Sequence, residues 1–473
     1  MSDQAARHLT VDERVARGRA AREVHPPARQ AELTLAPDRP EVSALLQEQA
    51  RTRVPELVPL RHARMAVTPF TFFRGSARAM ALDLASSPTS GLRVQLCGDA
   101  HLSNFGLFGS PERRLLLDVN DFDETLPGPW EWDVKRLAAS LAVAGRGNDY
   151  TASKRRKIVV AAVRRYRDAM ERFAHSRTLE VWYSRLEVEA LRDLLSDQMS
   201  AKQRKNLDAA VTKARASDSL KAFSKLAETV DGTMRIRSDP PVVVPVRELL
   251  PDLDRADLEA WMRVLLREYA ASLPRERRHL LDRFESVDLA RKVVGVGSVG
   301  TRCWIVLLRG RDDRDPLFLQ VKEAQPSVLA DLVPPDMVEP DAPDNQGERV
   351  VTGQRMMQAS SDIFLGWQRV HGIDGQQRDF YVRQLRDMKG SAVVEQMPPS
   401  GMRMYGEVCG WTLARAHARS GDPVAISAYL GDDDTVPEAM AEFAEAYADL
   451  TERDHAAMVE ALRAGTLEAM QPA

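Results

Sequence analysis

The run Gly295-Val-Gly-Ser-Val-Gly300 is followed at once by TRCWIVLL, and that order restricts the fold more than any other stretch of the chain. A dinucleotide-binding turn needs a helix to open directly after its glycines. Here the next residues are β-branched and aromatic, so the glycines join two strands. ARKVVGVG before them and PLFLQVKEA after them complete three consecutive antiparallel strands, with the polar turn RGRDDRD between the second and third. The third strand carries Lys322 in an apolar setting, where its charge calls for an acidic partner. Glu348, on a helix read over GERVVTGQRMMQASSDIF, is the best candidate, because Glu323 points to the opposite face of the strand. The plainer alternative is a structural hairpin with a lysine snorkelling at its edge.

At 473 residues the chain exceeds one ordinary core and suffices for two or three packed units. Its net charge of −3 offers no global attraction to nucleic acid. The basic run Lys154–Lys157 reads as a solvated helix start. Cys97, Cys303 and Cys409 are far apart, so neither a zinc site nor a disulfide framework is expected. The first residues lack an apolar leader segment, and no uncharged run approaches the roughly 18–20 residues that span a bilayer. A soluble, cytoplasmic protein without membrane or nucleic-acid partners is expected.

Four regions follow from the texture. Residues 1–60 read as an extended, charged arm with short helices. Residues 61–288 open with strands and loops from Met65 to Thr125 and turn mostly helical from Trp132. Residues 289–390 hold the three strands, a loop rich in Pro and Asp (LVPPDMVEPDAPDNQG), the helix with Glu348 and a strand over DFYVRQL. Residues 391–473 are helical.

The acidic chemistry lies in the second region. Asp99 and Asn104 follow the strand RVQLC, and Asp121 closes a second apolar strand, LLLDV. Carboxylates at strand ends face a cleft more readily than carboxylates on a solvated helix. Phosphoryl transfer needs one carboxylate to orient the attacking hydroxyl and take its proton, plus an amide and a carboxylate to hold Mg²⁺. Taken singly, any of these aspartates is also explained as a turn or cap residue.

GDAHLSN resembles the catalytic loop of the aminoglycoside phosphotransferase and choline kinase relatives of protein kinases. NDFDE resembles their metal motif, PWEWDVKRLAAS the helix start that follows it, and WTLARAHARSGD the helix that precedes their catalytic loop. The resemblance implies Asp99 as catalytic base and Asn104 and Asp121 as catalytic metal ligands, with Asp123 assisting. It implies Asp133 as an acid bracing the loop. Gly295, Gly297, Ser298 and Gly300 would then cover ATP phosphates, Lys322 would meet them, and the backbone of Arg383, Gln384 and Leu385 would read adenine. Cys97 departs from the pattern, which has a supporting histidine there.

These parts stand in an order that implies an α+β, protein kinase-like two-lobe fold in circularly permuted form. The helix around Ala414–Ala418 should then pack beside the strand leading to Gly98. The chain as a whole resembles the bacterial DUF2252 family through GDAHLSNFG, NDFDET and SDIFLGW. Arg74, in FFRG, would meet phosphate or, more simply, form a structural ion pair.

The expected activity is ATP- and Mg²⁺-dependent phosphotransfer to a hydroxyl of a small molecule or a protein. A cationic acceptor would suit an acidic pocket built from DVNDFDET and GDDDT, although both stretches also read as metal ligands and a surface turn. The same residues would serve AMP transfer, while a metal-dependent phosphoester hydrolase and a non-catalytic ATP-binding regulator remain as alternatives.

Overall fold

The computed structural model describes residues 8–195, 199–252, 254–338, 342–372, 375–385 and 387–470. The first seven residues of the arm and residues 339–341 of the loop rich in Pro and Asp lie outside it. Thr10 and Glu13 cap each other and start α1 (Val11–Val24). After it come α2 (Val42–Ala50), α3 (Val58–Met65), α4 (Pro69–Gly75) and α5 (Ala77–Ala85). The arm is therefore folded rather than extended. Arg22 donates to the Tyr429 and Leu430 carbonyls, and Arg39 bridges Asp83 and Asp454. Strand texture expected from Met65 begins only at β1 (Arg93–Leu96). A reciprocal Thr68–Thr71 cap with Pro69 at the first helical position overrides the aromatic look of TPFTFF.

β1 pairs with β4 (Leu126–Pro129), and between them lies the hairpin of β2 (Phe105–Gly109) and β3 (Leu115–Val119). Then come α6 (Trp130–Gly147), α7 (Ala152–Ala174), α8 (Thr178–Tyr183), α9 (Val188–Leu195), α10 (Ala201–Arg215) and α11 (Ser219–Leu226). A small hairpin of β5 (Ala227–Val230) and β6 (Thr233–Ile236) interrupts the helices.

β7 (Val243–Pro245), α12 (Val246–Leu249), α13 (Arg255–Ala271) and α14 (Arg275–Leu281) lead into the three expected strands. These are β8 (Glu285–Lys292), β9 (Cys303–Arg309) and β10 (Pro316–Ala324), antiparallel as read from the sequence. α15 (Gln346–Met357), β11 (Gly366–His371) and β12 (Gln377–Gln384) complete a six-stranded sheet in the order β11-β12-β10-β9-β8-β7. The sheet thus reaches back to residue 243, and α13 packs on its outer face through Met262 and Tyr269, with Leu273 just past its end. The unit set at residues 289–390 begins earlier than its composition suggests. The helix expected to run through Phe364 stops at Met357, because Asp362 takes the Phe364 and Gln384 amides and turns the chain into β11.

β13 (Gly390–Ser391) adds to β2. The chain returns through α16 (Pro399–Ser420), α17 (Pro423–Leu430) and α18 (Thr435–Arg463). The main core forms where α6, α7, α16 and α18 pack, with Trp130 stacked on Tyr166 at 5.7 Å. α16 lies along β1, and the Gln95 amide donates to Ser420 Oγ at 3.2 Å. The expected contact between this helix and the strand before Gly98 is present. Arg415 of the same helix forms a fully buried ion pair with Asp118 on β3. The three cysteines are buried and free. No helix among the described residues is long and apolar enough to cross a membrane.

Candidate active site

Gly98 turns the chain out of β1 at φ +82°, and a Cβ there would lie 2.3 Å from the Glu124 carbonyl oxygen. Only glycine fits. Asp133, in the first turn of α6, accepts from the Cys97 amide at 2.8 Å and the Gly98 amide at 3.0 Å. His417 Nε2 faces the same carboxylate at 3.3 Å. Asp133 braces the loop, and His417 reaches it from α16 while Cys97 stands where the resembled pattern has its histidine.

The Asp99 Oδ1 accepts from Arg136 Nε at 2.8 Å, and Arg136 is itself held by the Phe73 carbonyl at 2.6 Å and stands over the Phe73 ring. His101 Nε2 lies 3.6 Å from Asp99 Oδ2. Burial pushes the His101 pKa down to about 4, so the imidazole is neutral at neutral pH. Asn104 donates its amide nitrogen to the Asp99 carbonyl at 2.7 Å, so its oxygen is the atom that could ligate a metal.

Lys322 projects from β10 and is 2% exposed. It meets the Asp123 carboxylate, which also accepts from Tyr381 Oη at 2.8 Å and Ser298 Oγ at 3.3 Å. Asp121 Oδ1 lies 3.9 Å from Lys322 Nζ. Burial opposes the lysine charge, and Asp121 and Asp123 outweigh it, so the pKa lies well above the usual lysine value. The partner is therefore Asp123 and not Glu348, whose carboxylate forms no ion pair among the described residues. Asn345 caps α15 at the Glu348 amide and sets the helix so that the neighbouring Arg349 turns inward. Arg349 donates to the carbonyls of Asp123 (2.9 Å), Thr125 (2.6 Å) and Gln325 (2.9 Å), tying α15 to the acidic loop.

Gly295, Gly297 and Ser298 line one cleft of about 130 Å³ together with Asp99, Asn104, Asp121 and Asp123. Gly300 does not line it; its carbonyl accepts from the Val54 amide at 2.8 Å. Adenine contact through residues 383–385 meets an obstacle. The Gln384 amide is taken by Asp362 and the Leu385 amide by the Phe318 carbonyl at 2.9 Å. Arg383 spans Gln320 and the Asn120 carbonyl. These donors serve the sheet instead.

Residues 53–461 match the model of a family described as an uncharacterized protein conserved in bacteria, DUF2252. This chain belongs to the DUF2252 family. No curated protein and no solved structure matches it.

The remaining wall of the DUF2252 cleft comes from the N-terminal segment, of which the sequence reading brought only Arg74 toward phosphate. Arg53, Arg61 and Arg74 line the cleft. Arg53 donates to the Val299 carbonyl and Arg64 to the Gly295 carbonyl at 2.8 Å, so the glycine run is held from this side. A Cβ on Gly297 would lie 3.1 Å from the Arg74 carbonyl oxygen. Arg74 forms no ion pair among the described residues, so the structural reading of FFRG does not apply. GDDDT is remote from the cleft, where Asp433 meets Arg22 and Asp434 meets Arg164 and Arg167. A larger cavity of about 390 Å³ lies under α13 on the other face of the sheet, apolar and without any of the acidic residues.

Among the described residues no group of three or more His, Cys, Asp or Glu side chains converges at metal-holding distance. Mg²⁺ asks for less, since one or two carboxylates plus substrate phosphates suffice. Asn104, Asp121 and Asp123 all line the cleft and offer oxygen atoms, the donor type that ion takes.

Proposed function

We propose that this DUF2252 protein is a Mg²⁺-dependent phosphotransferase that moves the terminal phosphoryl group of ATP to a hydroxyl, on a kinase-like fold permuted in sequence. One observation carries the reading. Lys322 meets Asp123 about 200 residues away in sequence, and Asp123 lines one cleft with Gly295, Gly297, Asp99 and Asn104. The reading rests on the phosphate-facing residues, because the backbone donors expected to hold adenine are engaged elsewhere.

Asp99, fixed by Arg136, receives the acceptor hydroxyl. It takes the hydroxyl proton as the new O–P bond to the terminal phosphorus forms and the P–O bond to the departing ADP breaks. Lys322 turns from Asp123 toward phosphate oxygens, and Ser298 with the backbone of Gly295 and Gly297 closes over them. Asn104, Asp121 and Asp123 would hold Mg²⁺, which supplies charge neutralisation for the phosphates. His101, neutral and buried, supports the Asp99 side of the loop. AMP transfer would engage the same groups and differ in its product.

Thermal unfolding with ATP, with and without Mg²⁺, tests this on wild type, Asp121→Ala and Lys322→Ala. A hundredfold excess over Kd stabilises by about 2.7 kcal/mol. A Mg²⁺-dependent rise in Tm, lost in both variants, is expected. No shift of the wild type at millimolar ATP would sink the proposal. Tripolyphosphate run alongside reports whether the base contributes at all.

A further inference from the structure

Three guanidinium groups line the cleft from the N-terminal segment, Arg53 from the turn after α2 and Arg61 and Arg74 from α3 and α4, and none meets a carboxylate at ion-pair distance among the described residues. Arg61 is the sharpest case. It is 1% exposed, its Nη2 donates to Gln49 Oε1 at 2.8 Å and the Gly75 carbonyl at 3.0 Å, and its Nε and Nη1 have no acceptor. Arg53 Nε and Arg74 Nε are likewise buried without a partner. Burial, and then the like charge of Arg53, push Arg61 well below the usual guanidinium range. Around Arg74 the nearest acidic influences are Glu395, Asp99 and Asp121, and around Arg53 they are Glu124, Asp123 and Glu323. An isolated buried charge is expensive, and a fold retains Arg61 beside two half-buried guanidinium groups without carboxylate partners only where something compensates them.

Their place in the cleft identifies the compensating ligand. α3 and α4, which carry Arg61 and Arg74, pack with each other, and α4 packs on α6, the helix of Arg136. Arg61 and Arg74 thus stand on the Asp99 side, Arg53 sits against the glycine run with Glu124 and Asp123 nearest, and Lys322 enters from the sheet beside Asp123. We infer that Arg53, Arg61 and Arg74 form an anion site for the acceptor, so that the substrate is a hydroxyl compound bearing a phosphate or carboxylate group. This rests on the phosphotransfer reading for the word acceptor, but the anion site itself does not. It also replaces the cationic acceptor expected from the sequence, since the cleft offers a choline-like or aminosugar cation three arginines. Fork-shaped donors suit a phosphate or carboxylate better than an isolated hydroxyl does.

The test is isothermal titration of the full chain with glycerol 3-phosphate, glycerol and choline, in wild type, Arg74→Gln, Arg53→Gln and Lys322→Ala. Thermal unfolding certifies that each variant is folded. Glycerol 3-phosphate is expected to bind wild type and Lys322→Ala alike and to lose at least tenfold in affinity in both arginine variants. Glycerol and choline should give no heat. Binding that persists in both arginine variants, or choline binding in place of glycerol 3-phosphate, overturns the site. Repeating the titration with saturating Mg²⁺ and a non-hydrolysable ATP analogue separates the two claims. Unchanged affinity for glycerol 3-phosphate supports an acceptor site beside the donor. Competition between them would assign the arginines to the donor phosphates and overturn the acceptor assignment. Glycerol 3-phosphate binding without any nucleotide binding would retain the anion site while the phosphotransfer reading falls.

Discussion

Arg415 and Arg61 are equally buried, each 1% exposed, yet their charges are treated in opposite ways. Arg415 joins the returning helix α16 to β3, where it meets the buried Asp118 carboxylate and the Met357 carbonyl at 2.7 Å. Arg61, at the wall of the cleft, has only neutral acceptors. Where the fold holds its own parts together it supplies the countercharge, and where a ligand is awaited it leaves the countercharge out. Lys135 offers a third solution. It is 2% exposed, stands 4.6 Å from the Phe443 ring centroid, and burial pushes its pKa down to about 8. A lysine can shed an uncomfortable charge, whereas an arginine keeps it at neutral pH.

The largest effect should follow from breaking the compensated pair. Arg415→Met leaves Asp118 buried without its partner and is expected to cost about 3–5 kcal/mol in urea unfolding. A loss below about 1 kcal/mol would mean that Asp118 finds other donors, and the contrast with Arg61 would lose its basis.

Next comes Lys135. Its folded pKa lies below its unfolded value, so the folded state binds fewer protons between about pH 8 and 10.5. Below pH 8 the full penalty applies, and stability relative to Lys135→Met should rise as pH climbs through that window. The shift corresponds to roughly 3 kcal/mol in all. Paired denaturation curves at pH 7, 9 and 10 measure it. A difference that stays flat would show a lysine that keeps its proton when buried.

Local chemistry was legible in the sequence, and distant partnership was not. The glycine hairpin, Lys322, Asp99, Asn104 and Asp121 lie within short stretches whose residue types carry their meaning, and the structure brings Gly295, Gly297, Asp99, Asn104 and Asp121 to one cleft with Lys322 against its acidic residues. Glu348 was the wrong partner for Lys322, because Asp123 reaches the lysine from a loop about 200 residues earlier and α15 turns Arg349 inward to the carbonyls of that loop. β11 was missed because GWQRVH gains its register only by pairing with β12 at the sheet edge. Arg53 looked like part of a charged arm, and Arg61 stood just past its boundary with no motif around it. Their role depends on contacts such as Val54 with Gly300, across more than 240 residues of sequence. Arg136 was equally hidden, since a basic residue inside an amphipathic helix normally faces water.

The smallest stability effect, and the most telling, belongs to Arg61. Arg61→Met removes an uncompensated charge and two hydrogen bonds to neutral groups, terms of opposite sign. The ligand-free protein should therefore stay within about 1 kcal/mol of wild type. The same change should abolish whatever stabilisation glycerol 3-phosphate confers. If Arg61→Met instead costs as much as Arg415→Met, the fold already balances its charge, and the arginine wall becomes part of the scaffold. If stability holds and the anion response vanishes, the charge left unbalanced at this wall is the one the substrate completes.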